Sequence, residues 1–151
     1  MTLDEHMAKL MAGLADLART QVQDALLTTQ DMIGFVKLRL AEGGGNARGS
    51  QFTDYSPIYS KKRAEKGLQT GFKDFNVTGR LYASILPEVK ATQLGEVHVD
   101  IVPRGADNQA KVAGQFAREK TNILTPSPSE IADATQAHQS RRFARAQQIF
   151  E

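Results

Sequence analysis

His98 and Asp100 stand two residues apart in the run Glu96-Val97-His98-Val99-Asp100-Ile101-Val102. On a strand that spacing puts an imidazole and a carboxylate on one face, where the acid could orient the ring for proton transfer. Acyl transfer would also need a nucleophile raised on a sharp turn, and the chain has no Gly-x-Ser-x-Gly run. An exposed polar strand face accounts for the pair. The other histidines, His6 and His138, are not three or four residues from a second histidine, so no zinc-type helix pair forms. Asp4 with Glu5, and Glu130 with Asp133, fall in expected first helical turns, where the helix dipole favours negative charge. Glu88, Glu96 and Asp100 are the acids the expected sheet supplies, too few for a clustered metal-dependent hydrolase site. With no cysteine there is no thiolate chemistry and no disulfide. The sequence therefore assigns no catalytic residue, no cofactor and no metal ligand.

Two other segments invite a ligand. Gly43-Gly44-Gly45-Asn46 is glycine-rich, but it lacks a preceding strand and a Gly-Lys-Ser/Thr ending, so it does not read as a phosphate cradle. Lys61, Lys62, Arg63 and Lys66 lie close in sequence to Tyr55, Tyr59, Phe72 and Phe75. Basic residues interleaved with aromatics can track a phosphate backbone and stack bases. Asp54, Glu65 and Asp74 dilute that charge, and the formal net charge of the chain is only +2. A nucleic-acid-binding module using 61–66 is one alternative reading.

The elements that would position these residues follow from local signals. At 151 residues the chain has the length of one domain. Its 40% apolar content is low for a packed globule, so some apolar surface is expected to find burial against a neighbour. No stretch approaches the ~20 apolar residues of a membrane span. The start, Met1-Thr2-Leu3-Asp4-Glu5, is acidic, unlike a signal peptide, and a cytosolic site of synthesis is expected.

Thr2-x-x-Glu5 has the form of a capping box. Leu3, Met7, Leu10, Leu14 and Leu17 follow at 4-3-4-3 spacing, and Val22, Leu26, Ile33, Val36 and Leu40 resume the stripe. This predicts a helix over 1–42, roughly 60 Å long if unbroken. It would break near Thr28-Thr29 or Gly34, or project and pack on something else. Residues 43–56 and 68–78 read as polar loops, the first mobile, and both are expected to order on docking. Fast cleavage there in the free subunit, suppressed in an assembly, would test that expectation; equal rates would remove it.

Between those loops, Ser56-Pro57 opens a short basic helix over 57–67, with Ile58 and Tyr59 inward and Lys61, Lys62, Arg63, Glu65 and Lys66 outward. The alternation from Leu81 to Ala91 predicts a strand, with Pro87 marking an edge or bulge, and 96–102 a second strand in an antiparallel hairpin turning at Gln93-Leu94-Gly95. A helix over about 107–120 is expected to turn Val112 and Phe116 inward. Ser127-Pro128-Ser129-Glu130 announces a last helix with Ile131, Ala134, His138, Phe143, Ala146 and Phe150 on its inner side. The sum is a single α+β domain with helices on one face of a small antiparallel sheet.

The run Asn76-Val77-Thr78-Gly79-Arg80-Leu81-Tyr82-Ala83-Ser84-Ile85 resembles a signature of the tail-completion, or head–tail joining, proteins of tailed bacteriophages and of the related virion-morphogenesis proteins of Mu-like phages. Arg63-Ala64-Glu65-Lys66-Gly67 is similar to the basic helix end that precedes the signature in the family, and Gln115-Phe116-Ala117-Arg118 and Ile123-Leu124-Thr125-Pro126-Ser127 with Glu130 are similar to later family features. Ala117, commonly glycine in the family, and Thr121-Asn122 depart from it. The resemblance spans roughly 55–150. It implies a structural virion protein and not an enzyme: a ring, a homohexamer, at the head–tail junction between connector or stopper and tail tube, with DNA passing through its lumen and no membrane partner. The host cytoplasm would be its location during assembly. Phe52, Tyr55, Phe72, Phe75, Arg80 and Ser84 are the candidate subunit or partner contacts.

Overall fold

A computed structural model describes residues 2–43, 45–93 and 95–150, without the side chain of Phe150. Helix α1 (Leu3–Arg19) begins at the expected capping box: Thr2 accepts from the Glu5 backbone, and the Glu5 carboxylate accepts from the Thr2 N–H at 2.6 Å. Helix α2 (Gln21–Glu42) continues from it after one residue and ends at Gly43. The long helix is bent at Thr20, eight residues before the expected Thr28-Thr29 break and well before Gly34. Thr20 turns its hydroxyl back to the carbonyls of Asp16 and Leu17, a local bond that competes with the helix ladder. Thr28 and Thr29 also back-bond, to Asp24 and Ala25, yet α2 runs through them.

Helix α3 (Pro57–Glu65) follows, capped by the Ser56 hydroxyl. The next element, α4 (Arg80–Ser84), corrects the expected strand start: the chain enters it through Gly79 at a left-handed φ of 74° and becomes extended only at Ile85. Leu81 and Ile85 are both buried, and a spacing of four serves a helical turn as well as a strand face. Strand β1 (Ile85–Gln93) pairs antiparallel with β2 (Glu96–Pro103), Pro87 opposite Ile101, with a register shift between Val89 and Ala91. Both strands of this two-stranded sheet are edges, the setting in which a strand tolerates proline. Gly44 in the first loop and Leu94 at the hairpin tip lie outside the described residues.

Helix α5 (Ala106–Glu119) and helix α6 (Pro128–Phe150) complete the chain. The expected box at the start of α6 forms, with Ser127 N–H donating to Glu130 and Glu130 N–H to the Ser127 hydroxyl. Partners along α6 descend as those along the first two helices rise, from Glu130 with Arg39 through Arg141 with Asp31 to Arg142 with the Leu17 carbonyl. The last helix thus runs antiparallel beside α2 and then α1. At its far end Gly13 admits Ile149; a Cβ at Gly13 would stand 2.1 Å from the Ile149 Cγ2.

The core gathers Ile33, Val36 and Leu40 of α2 with Phe52, Leu81, Ile85, Ile123 and Leu124, and Phe75, Tyr82, Ile101 and Val112 pack against it. Six expected orientations are reversed. Ile58 is 74% exposed and Tyr59, Phe116, Ile131 and Phe143 are exposed too, while the basic-face residue Arg63 is 2% exposed. The core forms on α2, the loops and the hairpin, so the outer sides of α3, α5 and α6 have nothing to pack against. Ala134 is buried and His138 and Ala146 half-buried, as the inner stripe of α6 requires; the Phe150 side chain lies outside the described residues.

Candidate docking site

The segment 68–78 has almost no regular structure, and side-chain bonds replace the missing ladder. Asp74 is their hub. Its Oδ1 accepts from Arg63 Nη2 at 2.9 Å, from the Tyr55 hydroxyl at 3.0 Å and from the Asn76 N–H at 3.0 Å. The Tyr82 hydroxyl donates to its backbone carbonyl. Arg63 spends its other donors on the carbonyls of Gln69 and Asn76 and lies 4.6 Å from the centre of the Tyr55 ring. Every part of this guanidinium is matched, which is what permits its burial. Phe75, at a left-handed φ of 56°, is an L-residue in backbone that normally suits glycine; its ring meets Phe52 edge-on with centroids 4.9 Å apart. The bonds of its neighbours, Asp74 and Asn76, hold it there.

Burial pushes the Tyr55 phenol up to about 12, with the Asp74 charge adding to it. Tyr82 is raised for the same two reasons. Both therefore remain protonated donors to Asp74 at neutral pH.

A second knot ties 43–56 to α5. Glu119 accepts from the Thr53 backbone N–H at 3.0 Å, from its hydroxyl at 2.8 Å and from Lys73 Nζ. Burial alone would raise the Glu119 carboxyl; the Lys73 ammonium and the Thr53 donors outweigh it and hold it below its ordinary value.

Between α3, the 68–78 segment, α4 and α5 lies a cavity of about 630 Å³. Tyr55, Tyr59, the apolar side chains of Phe75, Val77 and Leu81, and the buried parts of Arg63 and Lys73 form much of its wall. From α5 it receives Lys111, Gln115 and Arg118, whose i, i+4, i+7 spacing sets them on one helical face. Lys111 and Arg118 are exposed and make no ion pair among the described residues, whereas Arg63 and Lys73 are neutralised by Asp74 and Glu119. Gln115 Oε1 is buried without a hydrogen-bond partner.

Of the six contact candidates read from sequence, Tyr55 and Phe75 line this cavity, and Phe52 lies behind Phe75 in the core. Phe72 is half-buried and exchanges backbone bonds with the Gln69 amide. Arg80 is exposed on α4, away from the lining, and Ser84 donates to the Leu81 carbonyl at 2.7 Å. Sequence reading missed Asp74, Lys111 and Arg118. Asp74 was counted only as diluting charge, and no local pattern separates an acid that four elements use from a solvated one. The spacing of Lys111 and Arg118 on α5 was a usable signal.

The proton-transfer pair does not form: among the described residues no hydrogen bond links His98, which is exposed, to Asp100. His138 lines a separate cavity of about 530 Å³ with Asp100 and Asn122, and its Nδ1 is hydrogen-bonded to the Thr28 hydroxyl at 2.8 Å. No group of three or more potential metal ligands occurs among the described residues, and no helix is long and apolar enough to cross a membrane. Compared with protein-family models, curated proteins and solved structures, the chain matches none.

The junction of α2 with α6, beside the bend at Thr20, holds the most deeply buried acid among the described residues. Asp24 is 0% exposed and accepts from Arg142 at 3.0 Å and from Arg145 at 3.1 Å, while Arg142 also donates to Thr20 and to the Leu17 carbonyl. Burial would raise the Asp24 carboxyl, and the two guanidinium groups more than reverse that. Part of the arginine run 141–145 thus serves the bend at Thr20. On the outer side of α1, Leu3 (76% exposed), Met7 (51%), Met11 (64%) and Leu14 (57%) form an apolar stripe that none of the other described residues covers.

Proposed function

We propose that this chain is a structural subunit of a tailed-bacteriophage particle, a tail-completion or head–tail joining protein that acts by assembling into a ring at the phage neck. The observation that carries the assembly half of this reading is the bare stripe on α1. Leu3, Met7, Met11 and Leu14, at 4-4-3 spacing, stand more than half exposed on one face of α1, the kind of apolar face by which helices pair. A second copy of the chain offers the same face. The neck half rests on the resemblance of 76–85 to the joining-protein signature, in which Gly79 turns the chain into α4 and Leu81 and Ile85 enter the core.

Function by geometry also agrees with the chemistry of the molecule. The strongly held polar groups, Arg63 with Asp74, Lys73 with Glu119 and Asp24 with its two arginines, are spent on fixing loops and helices. The nucleic-acid alternative loses its central residue, since Arg63 points inward and leaves Lys61, Lys62 and Lys66.

Light scattering and negative-stain imaging of the purified chain test the reading, together with immunodetection in purified particles. Rings, and presence at the head–tail junction, are expected. A chain that stays monomeric at high concentration and is missing from particles overturns it.

A further inference from the structure

We infer that the cavity between α3, α4 and α5 is a docking pocket for an acidic peptide segment that carries a large apolar side chain. The inference deepens the assembly reading: such a segment would belong to the protein that the subunit joins.

The chemistry of the wall selects the ligand. At about 630 Å³ the cavity has the size of a small-ligand or side-chain pocket. Phe75, Val77 and Leu81 with the Tyr55 and Tyr59 rings offer an apolar wall, and Tyr59 and Val77 are each 40% exposed. An aromatic or long aliphatic side chain would bury against them. Lys111 and Arg118, one face of α5 and free of carboxylate partners among the described residues, suit carboxylates on either side of that anchor. Gln115 stands between them on the same helical face.

The same features disfavour a nucleic-acid strand. Arg63 and Lys73 are already neutralised, so the free cations are two, opposed by the lining carboxylate Asp54. A phosphodiester track needs a longer run of cations.

Fluorescence anisotropy on the full chain tests this with three labelled probes: a short Asp/Glu-rich peptide with a central Phe, the same peptide with Lys in place of its acids, and oligothymidine. The acidic peptide is expected to bind and the Lys peptide not. The double variant Lys111→Glu/Arg118→Glu should weaken binding about tenfold or more, Val77→Asp should weaken it as well, and Lys61→Glu/Lys62→Glu, outside the wall, should not. Circular dichroism confirms folding of each variant. The inference is overturned if the acidic peptide fails to bind, if binding is indifferent to Lys111→Glu/Arg118→Glu, or if oligothymidine binds more tightly and is lost in that variant. Loss of the inference leaves ring formation untouched. Conversely, a monomeric chain that binds the acidic peptide through Lys111 and Arg118 would retain the pocket and remove the ring.

Discussion

The α1 helix and the 68–78 segment divide the labour of this molecule in opposite ways. The helix is regular, satisfied in its own backbone and apolar on a side that none of the other described residues covers. The segment is irregular, depends on side chains for its hydrogen bonds, and is tied to α3 and α4 through Asp74. Regular structure here supplies surface, and irregular structure supplies internal wiring. The polar composition that made 68–78 look like a docking loop is largely consumed inside the chain, and the apolar repeat that made α1 look like core is left outside.

The largest effect should come from cutting the wiring. Arg63→Met leaves Asp74 without its cation and frees three acceptors, so urea unfolding should show a loss of about 3–5 kcal/mol. Arg63→Lys should restore little of it, because an ammonium cannot reach Gln69, Asn76 and Asp74 together. If Arg63→Met unfolds like the parent chain, the contrast between the two regions fails.

Next in size is the bend at Thr20. Asp24→Asn should cost roughly 1–3 kcal/mol, a figure discounted because Arg142 and Arg145 keep some contact with water. The effect should depend on pH. Asp24 and Glu119 both have carboxyls held below their ordinary values, so their stabilisation is full above the unfolded range near pH ~4 and fades as pH falls through it toward the folded values. Asp24→Asn should flatten the acid limb of a stability-versus-pH curve; an unchanged limb would place the acid sensitivity elsewhere.

Charge placed on the α1 stripe should have the smallest effect on the fold. Met7→Glu and Leu14→Glu replace exposed groups, and each should change monomer stability by less than about 0.5 kcal/mol in denaturant. A large loss would mean that the stripe is packed within the chain, and the comparison between helix and loop would need redrawing.

What the sequence made legible is local. Thr2 with Glu5, Ser56-Pro57 and Ser127 with Glu130 announced their helices because a cap needs only neighbours within four residues. The hairpin followed from alternation. The α+β class followed from both. The bend at Thr20 was not legible, since the groups that meet there include Arg142, more than a hundred residues away. Which face of α3 turns inward was hidden for the same reason: Arg63 is buried because Asp74 and two carbonyls wait for it, and hydropathy alone sends it out. Five-residue α4 is too short to carry a period that separates it from a strand. Of the site, Tyr55 and Phe75 were found as aromatics beside a basic segment, while Lys111, Gln115 and Arg118 come to them only through the fold.

Sedimentation velocity over a wide concentration range, on the parent chain beside Met7→Glu/Leu14→Glu, bears most directly on the claim that this protein works by assembling. The parent should form a discrete larger species that grows with concentration, and the double variant should lose it while keeping the same circular dichroism and urea midpoint. A parent chain that sediments as a monomer at every concentration would contradict the account.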